Sequence, residues 1–448
     1  MRTPAGATWP PRGAYRLLGL SAAAVVIALV AGCVAGGDAA PPPATRRAGS
    51  EQVATPPPSA QAAVPAAAER LAPGQLALQL QSLLGQHTVL AADMMRGRLR
   101  GDPDLAQAAN AALGKNTAAM GSLIAGAFGR PAADQFTPLW SNHVTALFNY
   151  SRGLAENDPA VQASAKAVIT KFETRLADFF VAAAQGRLPR AAAVAAVDMH
   201  IQHLLGQADA YARKDWTASD KEYRLGFAHG FALGKALSST LLPPAQARSL
   251  DQPLWRLTSA LEQLLGEHVV LVVATMRAGV TDAPDFDAAA ASVNANTTDL
   301  AAAIGVLFGP AAARSFQQMW ADHIDLLVRY AGALARGDDA ARTAIAGRLG
   351  TFERQLSGFL NVATGDKLAA QALAKALQSH DSMLRAQVDA FVAKNYGKSH
   401  DIAYTTYQEM YGLAGRLAEA FGVTVAQRLP VGAAQTGRGG MAAAVGGS

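Results

Sequence analysis

Residues 81–100 read QSLLGQHTVLAADMMRGRLR, and residues 262–279 read EQLLGEHVVLVVATMRAG. The two stretches align without a gap and set His87 on His268. The match continues downstream. Leu139-Trp140-Ser141-Asn142-His143 answers Met319-Trp320-Ala321-Asp322-His323, and Tyr150 answers Tyr330. Phe172 and Phe179 answer Phe352 and Phe359, and His200 answers His380. The offset is 181 residues before a one-residue deletion and 180 after it. Self-similarity at a fixed offset marks a repeat architecture. It divides the body into a first repeat, residues 74–244, and a second, residues 250–424.

Each repeat contains a smaller one. His87, His143 and His200 are spaced by 56 and 57 residues, and His268, His323 and His380 by 55 and 57. A turn follows each histidine. Asp102-Pro103 and Asp158-Pro159 read as helix starts, with Asp capping the first free N–H groups and Pro at the first helical position. The next helix runs to a glycine, at Gly129, Gly186, Gly309, Gly365 and Gly422, where a left-handed residue ends a helix cheaply. The unit is a helical hairpin of about 56 residues used six times, with helices of about 20–25 residues and roughly 30–37 Å. Trp140, His143, Leu147 and Tyr150 fall at i, i+3, i+7 and i+10, one helical face. No run alternates with period two. The expected fold is all-α, two tandem bundles of about three hairpins each, separated at Pro243-Pro244; a continuous solenoid of hairpins is the competing layout.

Composition agrees. The 448 residues are 50% apolar but only 6% aromatic and 16% charged, an alanine-heavy balance that favours helix and excludes a disordered chain. At about 100–200 residues per domain the length allows two or three domains. A single cysteine excludes a disulfide framework and a cysteine-based zinc site.

That cysteine closes the N-terminal segment. Arg2, Arg12 and Arg16 precede an apolar run from Leu17 to Val30, which ends in Val30-Ala31-Gly32-Cys33. A basic start, a short apolar middle and small residues before the cut describe a secretory signal peptide, residues 1–32. The last four residues resemble the lipobox of bacterial lipoproteins. The resemblance implies that Cys33 receives a diacylglycerol and becomes the first mature residue, on the extracytoplasmic face of a cell membrane. The alternative is an uncleaved helix from Leu17 to Ala35, close to the ~20 residues a span needs. Both readings put the body outside the cytoplasm. Residues 33–73, with Pro41-Pro42-Pro43 and Pro56-Pro57-Pro58, read as a semi-rigid tether. Residues 425–448 read as a Gly/Ala-rich tail.

The histidines carry the only chemistry that the pattern suggests. Six of nine occupy one equivalent place, mid-way along the first helix of every hairpin. Three parallel helices whose faces converge would bring three imidazoles together. His229, twenty-nine residues after His200, and Glu409, twenty-nine after His380, are candidate fourth ligands. The candidate metal sets are thus His87, His143, His200 and His229, and His268, His323, His380 and Glu409, suited to Zn, Cu or Fe. Met94, Met95 and Met276 lie seven or eight residues beyond their histidines and would tilt the choice to copper. His200 and His203 form a further i, i+3 pair. A shared ion requires the three nitrogens within about 4–5 Å of one another. The competing reading makes the six histidines packing residues, copied with the hairpin and hydrogen-bonded between helices.

Other chemistries lack their motifs. No Glu precedes a His by three residues, as ferritin-like di-iron bundles need, and there is no H-E-x-x-H, G-x-S-x-G or P-loop. The glycines from Gly226 to Gly234 lie in a helical pattern and read as close helix packing. The formal charge of +5 falls to +2 without the three arginines of residues 1–32, and no basic cluster with interleaved aromatics suits nucleic acid. The expectation is a lipid-anchored, non-enzymatic binding or structural protein of the bacterial cell envelope, with metal binding as the specific alternative.

Overall fold

A computed structural model describes residues 72–428, and within them the chain is all-helical, with no strand. The signal segment, Cys33, the tether and residues beyond 428 lie outside the described residues. Six long helices come first: α1 (Pro73–Leu99), α2 (Pro103–Phe128), α3 (Arg130–Ala155), α4 (Pro159–Ala183), α5 (Arg190–Ala212) and α6 (Trp216–Leu241). A four-residue α7 (Pro244–Ala247) and a 3₁₀ turn (Arg248–Asp251) follow the Pro-Pro break. Six more helices answer the first six: α8 (Pro253–Val280), α9 (Phe286–Phe308), α10 (Pro310–Ala335), α11 (Asp339–Ala363), α12 (Ala370–Val392) and α13 (Tyr396–Arg428).

The boundaries follow local chemistry. Asp102 accepts a hydrogen bond from the Leu105 amide at 3.0 Å, and Asp158 accepts from the Ala160 and Val161 amides at 2.9 and 3.1 Å. Asp215 and Asp338 cap α6 and α11 in the same way. Gly129 and Gly309 adopt φ of 89° and 90° between the second and third helices of each repeat. Gly422 does not end a helix, because α13 runs on to Arg428.

The first helix of each repeat is central. α1 packs against α2, α3, α5 and α6, and α8 packs against α9, α10, α12 and α13. A helix surrounded on several sides is apolar on several faces, which explains why α8 is the one described helix long and apolar enough to cross a membrane, while most of its apolar window is buried inside the fold. Close packing on α1 depends on the α6 glycines. A Cβ at Gly234 would sit 2.8 Å from the Gln81 backbone, and one at Gly230 would sit 3.1 Å from the Leu84 carbonyl.

The repeats also pack on each other, and reciprocally: α13 lies on α2, α6 lies on α9, and α1 meets α8. Val89, Ala92, Tyr223, Phe227 and Phe231 of the first repeat share one apolar core with the second. Polar contacts cross the same seam. The Tyr407 hydroxyl donates to the Ser82 carbonyl at 3.1 Å, Arg224 pairs with Glu267 and Asp299 at 2.9 Å each, and Arg100 pairs with Asp285.

Candidate metal centre

Three helices of each repeat deliver one histidine apiece to a common point. His87, His143 and His200 come from α1, α3 and α5, and His268, His323 and His380 from α8, α10 and α12. All six are buried, the most exposed at 3%. In each trio one nitrogen per ring can be chosen so that the three lie within 4.8 Å of one another. Three nitrogens bound at 2.0–2.1 Å to one tetrahedral ion would stand about 3.4 Å apart. The His87 and His143 Nε2 atoms are already 3.1 Å apart.

Aromatic walls hold the rings. Trp140 lies 4.7 Å from His87 and 4.6 Å from His143 between ring centroids, and Phe172 stacks on His143 at 4.1 Å. In the second repeat Trp320 lies 4.8 Å from His268, and Phe352 stacks on His323 at 4.4 Å. Phe172 also lines a surface groove of about 330 Å³ together with Asn142, Lys171 and Arg175.

Burial decides the protonation state. It pushes His143 down to about 3 and His380 down to about 4. His87, His200, His268 and His323 are driven well below the ordinary value, first by burial and then by neighbouring histidines. All six are neutral at pH 7, the form that ligates metal. The His143 Nδ1–H donates to the Trp140 carbonyl at 2.5 Å, which leaves the Nε2 lone pair facing the trio. Metal-ligating histidines are commonly oriented by such a bond from the other ring nitrogen. Most remaining nitrogens have no hydrogen-bond partner: His87 Nδ1, His323 Nδ1, and both nitrogens of His200, His268 and His380. Buried polar atoms are nearly always satisfied, so this concentration at two equivalent points calls for an absent partner.

No family model, curated protein or solved structure matches this chain. The site must therefore be read from its own residues.

The proposed fourth ligands do not join the trios. His229 bonds through Nε2 to the Ala196 carbonyl at 2.9 Å and lies beside His203. Glu409 is exposed and accepts from the Ser379 hydroxyl at 3.2 Å. His203 does not chelate with His200, because its Nδ1 pairs with Glu222 at 2.8 Å. The Met276 sulfur accepts from the Gln387 amide at 3.9 Å.

Two sets of residues escape the histidine pattern. Arg96 bonds Gln207 at 3.2 Å and Ser219 at 3.0 Å, tying α1 to α5 and α6. Arg277 repeats this with Gln387 at 3.3 Å and Ser399 at 3.0 Å. Each arginine stands nine residues after its histidine, a signal present in the aligned stretches. The clamps then diverge. Arg96 pairs with Asp220 of its own repeat at 2.8 Å. His400 occupies the equivalent of Asp220, and Arg277 pairs instead with Asp93 of the first repeat at 3.2 Å. The second escaped feature is Asp381, fully buried, with Oδ1 3.5 Å from His323 Nδ1. Burial and the nearby Glu353 carboxyl push the Asp381 pKa well up.

Proposed function

We propose that the protein is a metal-binding helical protein with two buried three-histidine sites, held outside the cytoplasm by a lipid on Cys33. The observation that carries this reading is the double convergence of three neutral imidazoles within 4.8 Å, with most of their nitrogens unpartnered. The body is read as two six-helix bundles, each built around its first helix and fused along a common seam. Each bundle supplies one site. Three imidazoles leave a position on the ion for a small exogenous ligand, and zinc, copper and iron all accept such a donor set. The rings of Trp140 and Phe172, and of Trp320 and Phe352, enclose the ions, which suits retention or delivery of metal more than catalysis on a substrate.

Elemental analysis of the purified protein tests the reading. Two equivalents are expected, with one lost in His143→Ala and one in His323→Ala. A metal-free protein whose melting ignores added zinc and copper overturns it. The close approach of His87 to His143 favours a second reading, in which the two rings hydrogen-bond to each other and serve packing alone. In that case His143→Ala lowers stability and changes no metal content. The anchor has its own test: Cys33→Ser should release the protein from membranes and abolish acyl labelling, and unchanged membrane retention favours the uncleaved helix.

A further inference from the structure

The aligned first helices of the two repeats differ at a buried polar position that packing alone does not explain. Gln81 in α1 and Glu262 in α8 are equivalent. Both are buried, Glu262 at 5% exposure. Gln81 is bonded through both ends of its amide: it donates to the Phe231 carbonyl at 2.9 Å and accepts from the Ser259 hydroxyl at 3.0 Å. Glu262 is not so placed. Its Oε2 has no hydrogen-bond partner. No cation acts on the carboxyl either, since burial is the one cause that lifts its pKa, to about 8. The hydroxyls nearest in charge are committed elsewhere. Tyr411 donates to Tyr407, and Tyr407 donates to the Ser82 carbonyl. A buried acid without a partner is rare in a folded chain.

Glu262 lines a groove of about 1150 Å³ between the repeats. Ligand sites take about 300–1,000 Å³ and lie preferentially at domain interfaces, so a small molecule has ample room. The rings of Tyr404 and Tyr411 line the same groove, and the Glu262 carboxyl acts directly on Tyr411. Another part of the lining is apolar. Leu76, Leu123 and Leu242 face the groove and belong to a small core of their own. Arg187, the one cationic residue of the lining among the described residues, is bonded to the Thr240 and Leu241 carbonyls.

An acid of pKa about 8 is protonated at pH 7, and ionising it there costs about one unit, or about tenfold in affinity. A positive charge within about 4–6 Å lowers a carboxyl by about 1–3 units, which meets or exceeds that cost. Tyrosine faces attract the same cation. A neutral guest gains neither effect, and an anion is repelled once the acid ionises. We propose that the groove binds an amphipathic amine, with the ammonium group on Glu262 and the apolar body along Leu76, Leu123 and Leu242. The site is separate from the histidine trios and does not depend on their metal.

Calorimetric titration of the purified protein at pH 7 tests this, with octylamine, octanol and octanoate as cationic, neutral and anionic guests of one length. Octylamine should bind with one equivalent, at least about fivefold more tightly than octanol or octanoate. Propylamine, which lacks most of the apolar body, should bind at least about tenfold more weakly than octylamine. Glu262→Gln installs the residue that the other repeat carries. It should weaken octylamine at least about fivefold and leave octanol within about twofold. Helix content by circular dichroism accompanies the variant. Should the variant fail to fold, the comparison of the three guests on the unaltered protein still decides the matter. Octylamine that fails to bind, a margin over octanol or octanoate below about fivefold, propylamine within about tenfold of octylamine, or a folded Glu262→Gln protein that keeps its octylamine affinity overturns the assignment. Each of these results leaves the metal-binding reading untouched.

Discussion

Acidification should destabilise the metal-free protein through His143 by a calculable amount. The imidazole is held at about 3 in the fold, against an ordinary value near 6.5. Above pH 6.5 it is neutral both folded and unfolded and contributes no pH dependence. As the pH falls below 6.5 the unfolded chain takes up a proton that the folded chain refuses, so stability drains away until the folded value near 3 is reached. At pH 5 the ring is still neutral in the fold, and the gap from 6.5 is about 1.5 units, or about 2 kcal/mol. The result depends little on the exact folded value, provided that it lies below 5. Other buried groups pull the opposite way: burial lifts Glu262 to about 8, so its carboxyl gains stability on acidification. A double difference removes them. The unfolding free energy of the chelator-treated protein is measured at pH 8 and pH 5 by denaturant titration, and the same pair is measured for His143→Leu. Whatever the substitution costs in packing, the loss between pH 8 and pH 5 should be smaller in the variant by about 2 kcal/mol. A double difference below about 0.5 kcal/mol would show that the imidazole is not held neutral by burial, and the argument for a ready ligand would fail with it. His380→Leu, from a folded value of about 4, should give nearly the same figure.

Three further outcomes follow from packing. Gly234→Ala should cost about 1–3 kcal/mol in a melting or denaturant assay, because its Cβ would meet the Gln81 backbone at 2.8 Å; Gly114→Ala, with open space around it, should be neutral or stabilise by up to about 1 kcal/mol. Arg277→Met removes the cation 3.2 Å from half-buried Asp93 together with the bonds to Gln387 and Ser399 and should cost about 1–3 kcal/mol, part of it recovered in the double variant with Asp93→Leu. Phe172→Leu removes a ring that both stacks on His143 and borders the neighbouring groove, so stopped-flow transfer of metal to a chelator should accelerate from that site and not from the second.

The sequence carried the repeat, the hairpin and the histidine column, because each rests on a period that one chain displays to itself. Convergence of the column was expected on one condition, that the three faces meet, and that condition is a matter of helix rotation. Rotation also explains the misplaced fourth ligands. Gly226, Gly230 and Gly234 form the face of α6 that lies on α1, and His229 is one residue, about 100°, away from Gly230. It therefore points toward Ala196 on α5. The glycine spacing held that information, and counting residues from His200 did not use it. Glu409 fails in the same manner: its neighbours Tyr407 and Met410 are buried, and it faces solvent. Asp381 was illegible for another reason. It has no copy in the first repeat, so a search for repeated residues passes over it. The seam was hidden because a period says nothing of how its copies meet.

The crossed pair of Asp93 and Arg277 ties the closing of one arginine clamp to the other half of the chain. The first repeat closes its own arginine clamp, since Asp220 is supplied from within. The second repeat holds a guanidinium whose counter-charge belongs to the other half. Domains fold as units with the N-terminal one first during synthesis. The earlier half can therefore close its own arginine clamp first and then offer Asp93 to the second. A fragment of residues 250–428 would lose the acid that Arg277 pairs with, and one of residues 72–247 would lose the acids that pair with Arg100 and Arg224. The halves are alike in sequence, and the ion pairs crossing the seam in both directions leave each incomplete without the other.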